Sequence, residues 1–258
     1  MENMVKNIFN YKPEENINIL KEKFKKIKNM NWIKFENNNN YNGSAGTLLE
    51  KLLDVSSGNF EIPDYENIEI KTKYSTKYKD ISLFTAVPDS YLFETKRLTQ
   101  EYGYPDKDFK ESNILNVLLI VNKFIKINTH YFLLKLNEEE KKLCLEVYDL
   151  KFNMIDNNTS WSFDLLKEKL LRKLSYLAII DARKKIENKE IFYKFINMFF
   201  YKLKDFNTFI YLLKNGKITL KLRVGIHKDP YRKGQPYDHG SVFCIDRKDL
   251  KLLFNEIK

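Results

Sequence analysis

A short acidic and basic stretch in the first third of the chain has the residue types of a phosphate-hydrolysing site. It places Asp64 directly after a proline, then Glu69, then Lys71. Because side chains alternate along a β-strand, Glu69 and Lys71 would share one face, and Ile68 and Ile70 the other. Two converging carboxylates make an oxygen site suited to Mg²⁺. A neighbouring lysine can orient, or help to deprotonate, a water that attacks a phosphate.

The same spacing also occurs on ordinary protein surfaces. An exposed strand commonly carries Glu69 and Lys71 as a solvated ion pair, with no chemical role. The stretch alone therefore leaves a plain surface strand open as the alternative.

A third carboxylate lies just upstream, in the segment 43–53, which reads GSAGTLLEKLL. Its glycines, Gly43 and Gly46, favour a turn with a close backbone approach. Its leucines recur at helical spacing and predict a short helix. Glu50 lies off this apolar stripe, so it is either a surface carboxylate or a third acid over the metal site.

These motifs, taken together, resemble a known nuclease family. The order G-x-x-G-x-x-L-E, then P-D-x4-E-x-K-T, then a second strand over 81–87 is similar to the MutH-like branch of the PD-(D/E)xK nucleases. The segments LKLRVGI (220–226) and YDHGSVFCI (237–245) resemble the closing motif of the MvaI/BcnI restriction endonucleases, which reads L-R and then H-D-H-G-T-x-F-R-I. The resemblance extends from about Gly43 to the end of the chain.

The resemblance implies an α/β fold, a PD-(D/E)xK restriction-endonuclease-like mixed sheet flanked by helices, with two lobes around a DNA cleft. We expect residues 1–155 to form a catalytic lobe and 156–258 a DNA-recognition lobe. The resemblance also implies a sequence-specific type II restriction endonuclease that uses Mg²⁺ and acts as a monomer on double-stranded DNA. It further implies a cognate DNA methyltransferase in the same system.

The resemblance assigns roles to individual residues. Asp64, Glu69 and the Ile70 carbonyl would hold the metal, Lys71 would position the water, and Glu50 would assist. The residues expected to contact DNA are Arg223, Asp238, His239, Ser241 and Tyr237. Lys73, which follows the catalytic strand, could contact a phosphate or belong to a solvated lysine face. From its residue type, Arg223 could grip guanine bidentately or belong to a solvated strand face. Asp238 could accept from a base or only cap its loop.

The chain departs from the family pattern at three positions. Tyr237 replaces the first histidine of the loop motif, Cys244 replaces an arginine, and Lys221 stands where the family can have an acid. We expect these changes to affect DNA recognition rather than catalysis, and the target to differ from the usual CC-x-GG type.

Composition agrees with a folded, nucleic-acid-binding protein. The chain has 258 residues, 43% of them hydrophobic, and a net charge of +10, which favours a polyanionic partner. An excess of lysine and asparagine, typical of AT-rich genomes, is the other explanation for the charge.

The two cysteines, Cys144 and Cys244, lack metal-ligand spacing and are expected to be buried free thiols. No apolar run could span a membrane and no signal peptide is evident, so we expect a cytoplasmic protein.

Periodicity and turn signals predict the remaining elements. Helices are expected over 14–29, 90–102, 165–174, 206–213 and 248–257, the last capped by Asp246; strands are expected over 116–127, 131–136, 143–148, 176–182 and 218–226. The aromatic segment 192–201 is compatible with a strand or a buried helix.

Two other functions stay open. One is a MutH-like repair endonuclease that nicks hemimethylated sites. The other is a non-catalytic DNA-binding protein, which would bind DNA equally well with and without Mg²⁺ and never cut it.

Overall fold

The computed structural model describes residues 13–36, 44–55, 62–74, 79–91, 93–227 and 229–258. They form two compact units, one built from Met1–Tyr78, Arg172–Leu203 and Phe254–Lys258, the other from Lys79–Leu171 and Lys204–Leu253. The units alternate along the chain, so they do not correspond to a single division near residue 155. The assignment of catalytic and recognition roles to two lobes stays a prediction.

The first unit contains a five-stranded sheet and two helices that pack on it. The strand order is β1-β11-β10-β2, and β15 pairs with the other part of β11. The elements are α1 (Pro13–Asn29), β1 (Ile33–Phe35), α2 (Ser44–Leu53), β2 (Ile68–Tyr74), β10 (Tyr176–Glu187), β11 (Glu190–Leu203) and β15 (Phe254–Ile257). Strand β2 runs parallel to β10, whereas β10 and β11 form a long antiparallel hairpin.

The core of this unit forms because the apolar stripes of α1 and α2 meet the buried face of the sheet. The buried residues include Ile17, Leu20, Phe24 and Ile27 from α1, Leu48, Leu49 and Leu53 from α2, Ile68 and Ile70 from β2, and Ala178 and Ile180 from β10. The predicted helices over 14–29 and 48–53 are confirmed. Helix α2 is thereby fixed against the strand that carries Glu69 and Lys71.

The second unit contains two sheets. The six-stranded sheet has the order β3-β14-β12-β5-β4, with β13 paired to β12, and the four-stranded sheet has the order β6-β7-β8-β9. The strands are β3 (Asp80–Thr85), β4 (Tyr104–Pro105), β5 (Asn113–Leu119), β6 (Phe124–Ile127), β7 (His130–Asn137), β8 (Lys142–Tyr148), β9 (Met154–Ser162), β12 (Ile218–Ile226), β13 (Pro236–Asp238) and β14 (Val242–Asp246). The helices are α3 (Glu94–Tyr102), α5 (Phe206–Lys214) and α6 (Leu250–Leu253), and α4 (Phe163–Leu174) continues from this unit into the first.

The structure corrects two predicted elements. The expected helix over 248–257 is a short 3₁₀ turn, Arg247–Asp249, which Asp246 caps as expected, then α6, then strand β15. Pairing of β15 with β11 and burial of Phe254 outweigh local helix propensity. The expected single strand over 116–127 is two strands, separated by a turn in which Asn122 has φ of 60°.

The aromatic segment 192–201, for which periodicity allowed either a strand or a buried helix, is a strand. Residues 192–201 lie in β11, which pairs with β10 along nearly its whole length. The predicted mixed α/β architecture is confirmed. No helix among the described residues is long and apolar enough to cross a membrane.

Candidate active site

Strand β2 places the predicted catalytic pair on one face and core residues on the other. Ile68 and Ile70 are buried at 0% and 8% exposure, against the helices. Glu69 is also buried, with only 3% of its surface exposed, and the Lys71 side chain is 17% exposed. An ordinary solvated surface pair would be far more exposed, so the plain surface-strand alternative does not describe this site.

A tight turn brings Asp64 back to the same strand. Tyr65 and Ile68 exchange backbone hydrogen bonds, and Glu66 between them has φ of 50°. The turn lets Asp64 Oδ2 accept a hydrogen bond of 2.8 Å from the backbone amide of Ile70. Asp64 is therefore held beside Glu69 by the strand backbone itself, as the motif predicts.

The two oxygens of Glu69 have different surroundings. Oε1 accepts a hydrogen bond from Lys71 Nζ at 2.8 Å and lies 3.5 Å from Lys173 Nζ. Oε2 is buried and has no hydrogen-bond partner among the described residues. An unpartnered carboxylate oxygen in a buried site is costly unless something else satisfies it.

Glu50 lies close enough to the motif to interact with it electrostatically. Burial raises the pKa of Glu50, and the charges of Asp64 and Glu69 raise it further. Gly46, one turn earlier, lies inside α2 rather than in a turn, and a Cβ there would lie 3.8 Å from Glu50 Oε1, an ordinary contact. The expected close approach at Gly46 is therefore not found, and Gly43 lies outside the described residues.

The charge balance of the cluster fits a divalent cation. Burial raises the pKa of Glu69, the Lys71 charge opposes this rise, and Asp64 adds to it. Crowded, dehydrated carboxylates with one unsatisfied oxygen would be stabilised by a bound cation. The described residues hold no group of three or more His, Cys, Asp or Glu side chains spaced to enclose a metal.

In the second unit, the predicted recognition residues meet where β12 ends beside the 238–241 loop. Arg223 Nη2 donates to the His239 carbonyl at 3.0 Å, and the His239 amide donates to the Arg223 carbonyl at 2.8 Å. Gly240 has φ of 78°, and a Cβ there would come within 2.3 Å of Thr85 Cγ2. Only glycine fits this position, which explains the H-G pair in physical terms.

The other recognition candidates differ in exposure. Asp238 Oδ1 accepts from the Gly240 amide at 2.6 Å, so Asp238 caps the loop, one of the two roles considered for it. Ser241 is completely buried, and its hydroxyl has no partner among the described residues. A base contact by Ser241 would need the loop to move. Lys73 follows Lys71 on the same face of β2 and lies opposite Asp181 in the register.

Aromatic rings connect the recognition loop to a residue without a sequence motif. The Tyr237 ring is 4.1 Å from the His239 ring and 4.5 Å from the His227 ring, measured between centroids. Burial and the Arg223 charge lower the pKa of His239, which favours its neutral imidazole. Tyr237, which stands where the family has a histidine, is 42% exposed, and its ring meets the His239 ring edge-on and the His227 ring at a tilt.

The structure also places two departures from the family pattern. Cys244 is 3% exposed within the six-stranded sheet, so this substitution changes the core and not the protein surface. Lys221 forms an ion pair with Asp80, the first residue of strand β3 in the same sheet. Both cysteines are free, but Cys144 is only partly buried, which corrects the expectation for that thiol.

Sequence reasoning missed Lys173 and His227. Lys173 precedes the last residue of α4, and only the parallel pairing of β10 with β2 brings it to Glu69. His227 reaches Tyr237 through the β12–β13 pairing. Neither residue belongs to a local motif, so no signal in the sequence could have found them.

Comparison with known proteins gives a family match and matches to solved structures. A model of the MvaI/BcnI restriction endonuclease family matches residues 21–254. A solved complex of restriction endonuclease MvaI with cognate DNA substrate is 30% identical, with a TM-score of 0.86, and the match covers 94% of this chain and 98% of that one. MvaI solved in the absence of DNA is 29% identical, with a TM-score of 0.58, over 94% of this chain and 97% of that one.

None of the curated protein sequences matches the chain significantly. The family match nevertheless spans most of the chain and includes both the Asp64–Lys71 motif and the 237–245 loop. The predicted restriction-endonuclease fold is confirmed by the structural match. The chain belongs to the MvaI/BcnI restriction endonuclease family.

Proposed function

We propose that this chain is a sequence-specific type II restriction endonuclease that hydrolyses phosphodiester bonds in double-stranded DNA with Mg²⁺. The observation that carries the proposal is the Glu69 carboxylate, with Lys71 on one oxygen and an unsatisfied, buried second oxygen beside Asp64. Family membership supports the reaction class, and the solved MvaI complex with cognate DNA supports the substrate.

The metal-binding residues in this proposal are Asp64, Glu69 and the carbonyl of Ile70. The Ile70 amide donates a hydrogen bond to Asp64. The backbone of Ile70 therefore fixes the position of the Asp64 carboxylate as well as that of its own carbonyl. A divalent cation bound there would neutralise the negative charge that develops on the phosphate in the transition state.

Lys71 acts on the attacking water in this proposal. Its ammonium lies on the polar face of β2 and is held by Glu69 at 2.8 Å, next to the place where the phosphate would react. From there it orients the water and stabilises the hydroxide that forms as the water loses its proton. Water oxygen then bonds to phosphorus, and the bond from phosphorus to the leaving oxygen of the DNA backbone breaks.

Glu50 assists from helix α2. Its carboxylate has a raised pKa because it is partly buried near Asp64 and Glu69. A carboxylate with a raised pKa is a suitable acceptor for the proton of a water molecule near neutral pH. We assign Glu50 this supporting role rather than a direct place in the metal site.

Base recognition is assigned to Arg223, His239, Asp238 and Tyr237. The mutual hydrogen bonds of Arg223 and His239 join the strand and the loop, so the guanidinium and the imidazole are presented together. Arginine binds guanine O6 and N7 bidentately, and a neutral imidazole can donate or accept. Lys73, on the catalytic face of β2, is the candidate for a phosphate contact.

The test is digestion of a defined plasmid with Mg²⁺ and with EDTA, followed by sequencing of the ends. The proposal predicts cleavage at one short sequence, only with the metal. Single-strand nicking restricted to hemimethylated sites would indicate the MutH-like repair reaction. Equal DNA binding in Mg²⁺ and EDTA without cleavage would indicate a non-catalytic binding protein. Protection by a co-expressed methyltransferase from the same system would extend the proposal to a restriction–modification pair.

A further inference from the structure

A second lysine approaches the catalytic carboxylate from a helix that the motif does not include. Leu166, Leu170 and Leu174 form the fully buried stripe of α4, and Lys173 lies at its edge with a side chain that is only 14% exposed. Its Nζ lies 3.5 Å from Glu69 Oε1. A largely buried lysine is unfavourable unless its charge is compensated, and Glu69 supplies a compensating charge.

Both ammonium groups lie on the same oxygen of Glu69. Lys71 and Lys173 are 2.8 Å and 3.5 Å from Oε1, whereas Oε2 is buried with no hydrogen-bond partner among the described residues. Two cations on one oxygen fix the rotation of the carboxylate about its terminal bond. The second oxygen is therefore kept available for a further cation.

The chain positions Lys173 through strand pairing rather than through a flexible loop. Helix α4 ends at Leu174, and Ser175 leads directly into β10. Strand β10 runs parallel to β2, with Leu177 opposite Glu69 in the register. The Ser175 carbonyl accepts from the Leu203 amide at 3.1 Å, which ties this junction to β11 as well.

We propose that Lys173 is a positioning residue of the active site, which holds Glu69 Oε1 so that Oε2 binds the divalent cation while Lys71 serves the attacking water. This inference rests on the proposed nuclease function. Without Lys173, Lys71 would have to both hold Glu69 and act on the water, and the carboxylate would lose its fixed orientation whenever Lys71 turned to the water.

Two other roles for Lys173 predict different results. If its ammonium only repelled the metal, removing it would strengthen metal binding. If it only contacted a DNA phosphate, removing it would weaken DNA binding without metal and would reduce the salt dependence of that binding. The positioning role predicts weaker metal binding with unchanged metal-free DNA binding.

The experiment compares Lys173→Met, which keeps most of the side-chain stem, with Lys173→Arg and with Lys167→Met. Lys167 lies on the same helix but is exposed, so it controls for loss of a positive charge from α4. Mn²⁺ binding to the free protein is measured by electron paramagnetic resonance, DNA binding is measured in EDTA, and the Mg²⁺ dependence of single-turnover cleavage is measured on plasmid. Chemical unfolding of each variant checks the fold.

We expect Lys173→Met to raise the Mn²⁺ dissociation constant and the half-saturating Mg²⁺ concentration by roughly 10- to 100-fold, as for residues that orient metal ligands. Lys173→Arg should restore most of the metal affinity, and Lys167→Met should behave as wild type. Metal binding that is unchanged or tighter in Lys173→Met would overturn the positioning role. A wild-type protein that never cleaves DNA would overturn the proposed function instead, and the Mn²⁺ titration would still decide the role of Lys173.

Discussion

The backbone amide of Ile70 donates a hydrogen bond of 2.8 Å to Asp64 Oδ2. Ile70 itself is packed in the core of the first unit, between Glu69 and Lys71, the proposed catalytic pair. The register of one core strand therefore fixes Asp64, Glu69 and Lys71 together. One face of β2 packs in the core, and the opposite face carries the proposed catalytic side chains.

The raised pKa values of Glu50 and Glu69 predict how stability depends on pH. An acid whose pKa is higher in the folded protein than its ordinary value of 4.5 contributes stability below that value. This contribution is lost as the pH rises through the folded-state pKa. Without metal, each of these two groups therefore makes the fold less stable at pH values well above 4.5 than in acid.

Glu50→Gln should accordingly raise the midpoint of thermal unfolding in EDTA, and by more at pH 7 than at pH 5. Added Mg²⁺ should stabilise wild type more than the variant, because the bound cation offsets the repulsion that the substitution has already removed. Glu66→Gln, at an exposed position in the nearby turn, is the matched control. An equal shift at both pH values would show that the charge of Glu50 is not the cause.

Arg223→Ala should lower the affinity for the specific target by roughly 1–3 kcal/mol, the value of a bidentate arginine–guanine contact. Binding to unrelated sequences should change little. Arg223→Lys should not rescue recognition, because an ammonium lacks the planar pair of donors. Competition binding with target and non-target duplexes measures the difference. Equal loss on every sequence would identify Arg223 as a phosphate contact.

The recognition sequence should differ from the CC-x-GG type. We attribute the difference to Tyr237, whose ring is exposed and meets the His239 ring edge-on, and not to Cys244, which is buried in the sheet. A tyrosine in place of histidine changes both the donors and the size of the group offered to a base. Sequencing of the digested plasmid ends gives the target directly, and cleavage at a plain CC-x-GG site would refute this expectation.

The enzyme should nick before it linearises DNA. The chain carries one Asp64–Lys71 motif, so a monomer has a single catalytic centre for two antiparallel strands. On supercoiled plasmid at limiting enzyme, open circles should accumulate ahead of linear product. Sedimentation of the DNA complex should give one chain per duplex, whereas a two-chain complex that cuts without a nicked intermediate would show concerted cleavage by a dimer.

Local patterns were sufficient for much of the fold and for the placement of Glu69 and Lys71 on one face of a strand. Alternation around Glu69 and the leucine spacing of α2 specify β2, α2 and their polar faces, because burial of one face is a local property of each element. The same reasoning failed for 248–257, where pairing of β15 with a distant edge of β11 decides the structure.

Long-range packing explains the other differences. Lys173 reaches Glu69 only through the β10–β2 pairing, and Cys244 is buried because its strand, β14, lies between β3 and β12. Ser241, directly before this strand, is buried as well. A motif can name the residue types that a site needs. It does not reveal which neighbours the folded chain adds, or which motif residues turn toward the core.

Cleavage by Asp64→Asn tests the central claim most directly. Asparagine keeps an oxygen that can accept from the Ile70 amide, so the turn should persist, while the charge that would bind the metal is lost. Wild type and the variant are compared in single-turnover cleavage of plasmid with Mg²⁺, with DNA binding in EDTA and with Glu66→Gln as the control. We expect wild-type binding and cleavage for the control, and wild-type binding with no cleavage for Asp64→Asn, as also for Glu69→Ala and Lys71→Ala. Full cleavage by Asp64→Asn would contradict the assignment of this site.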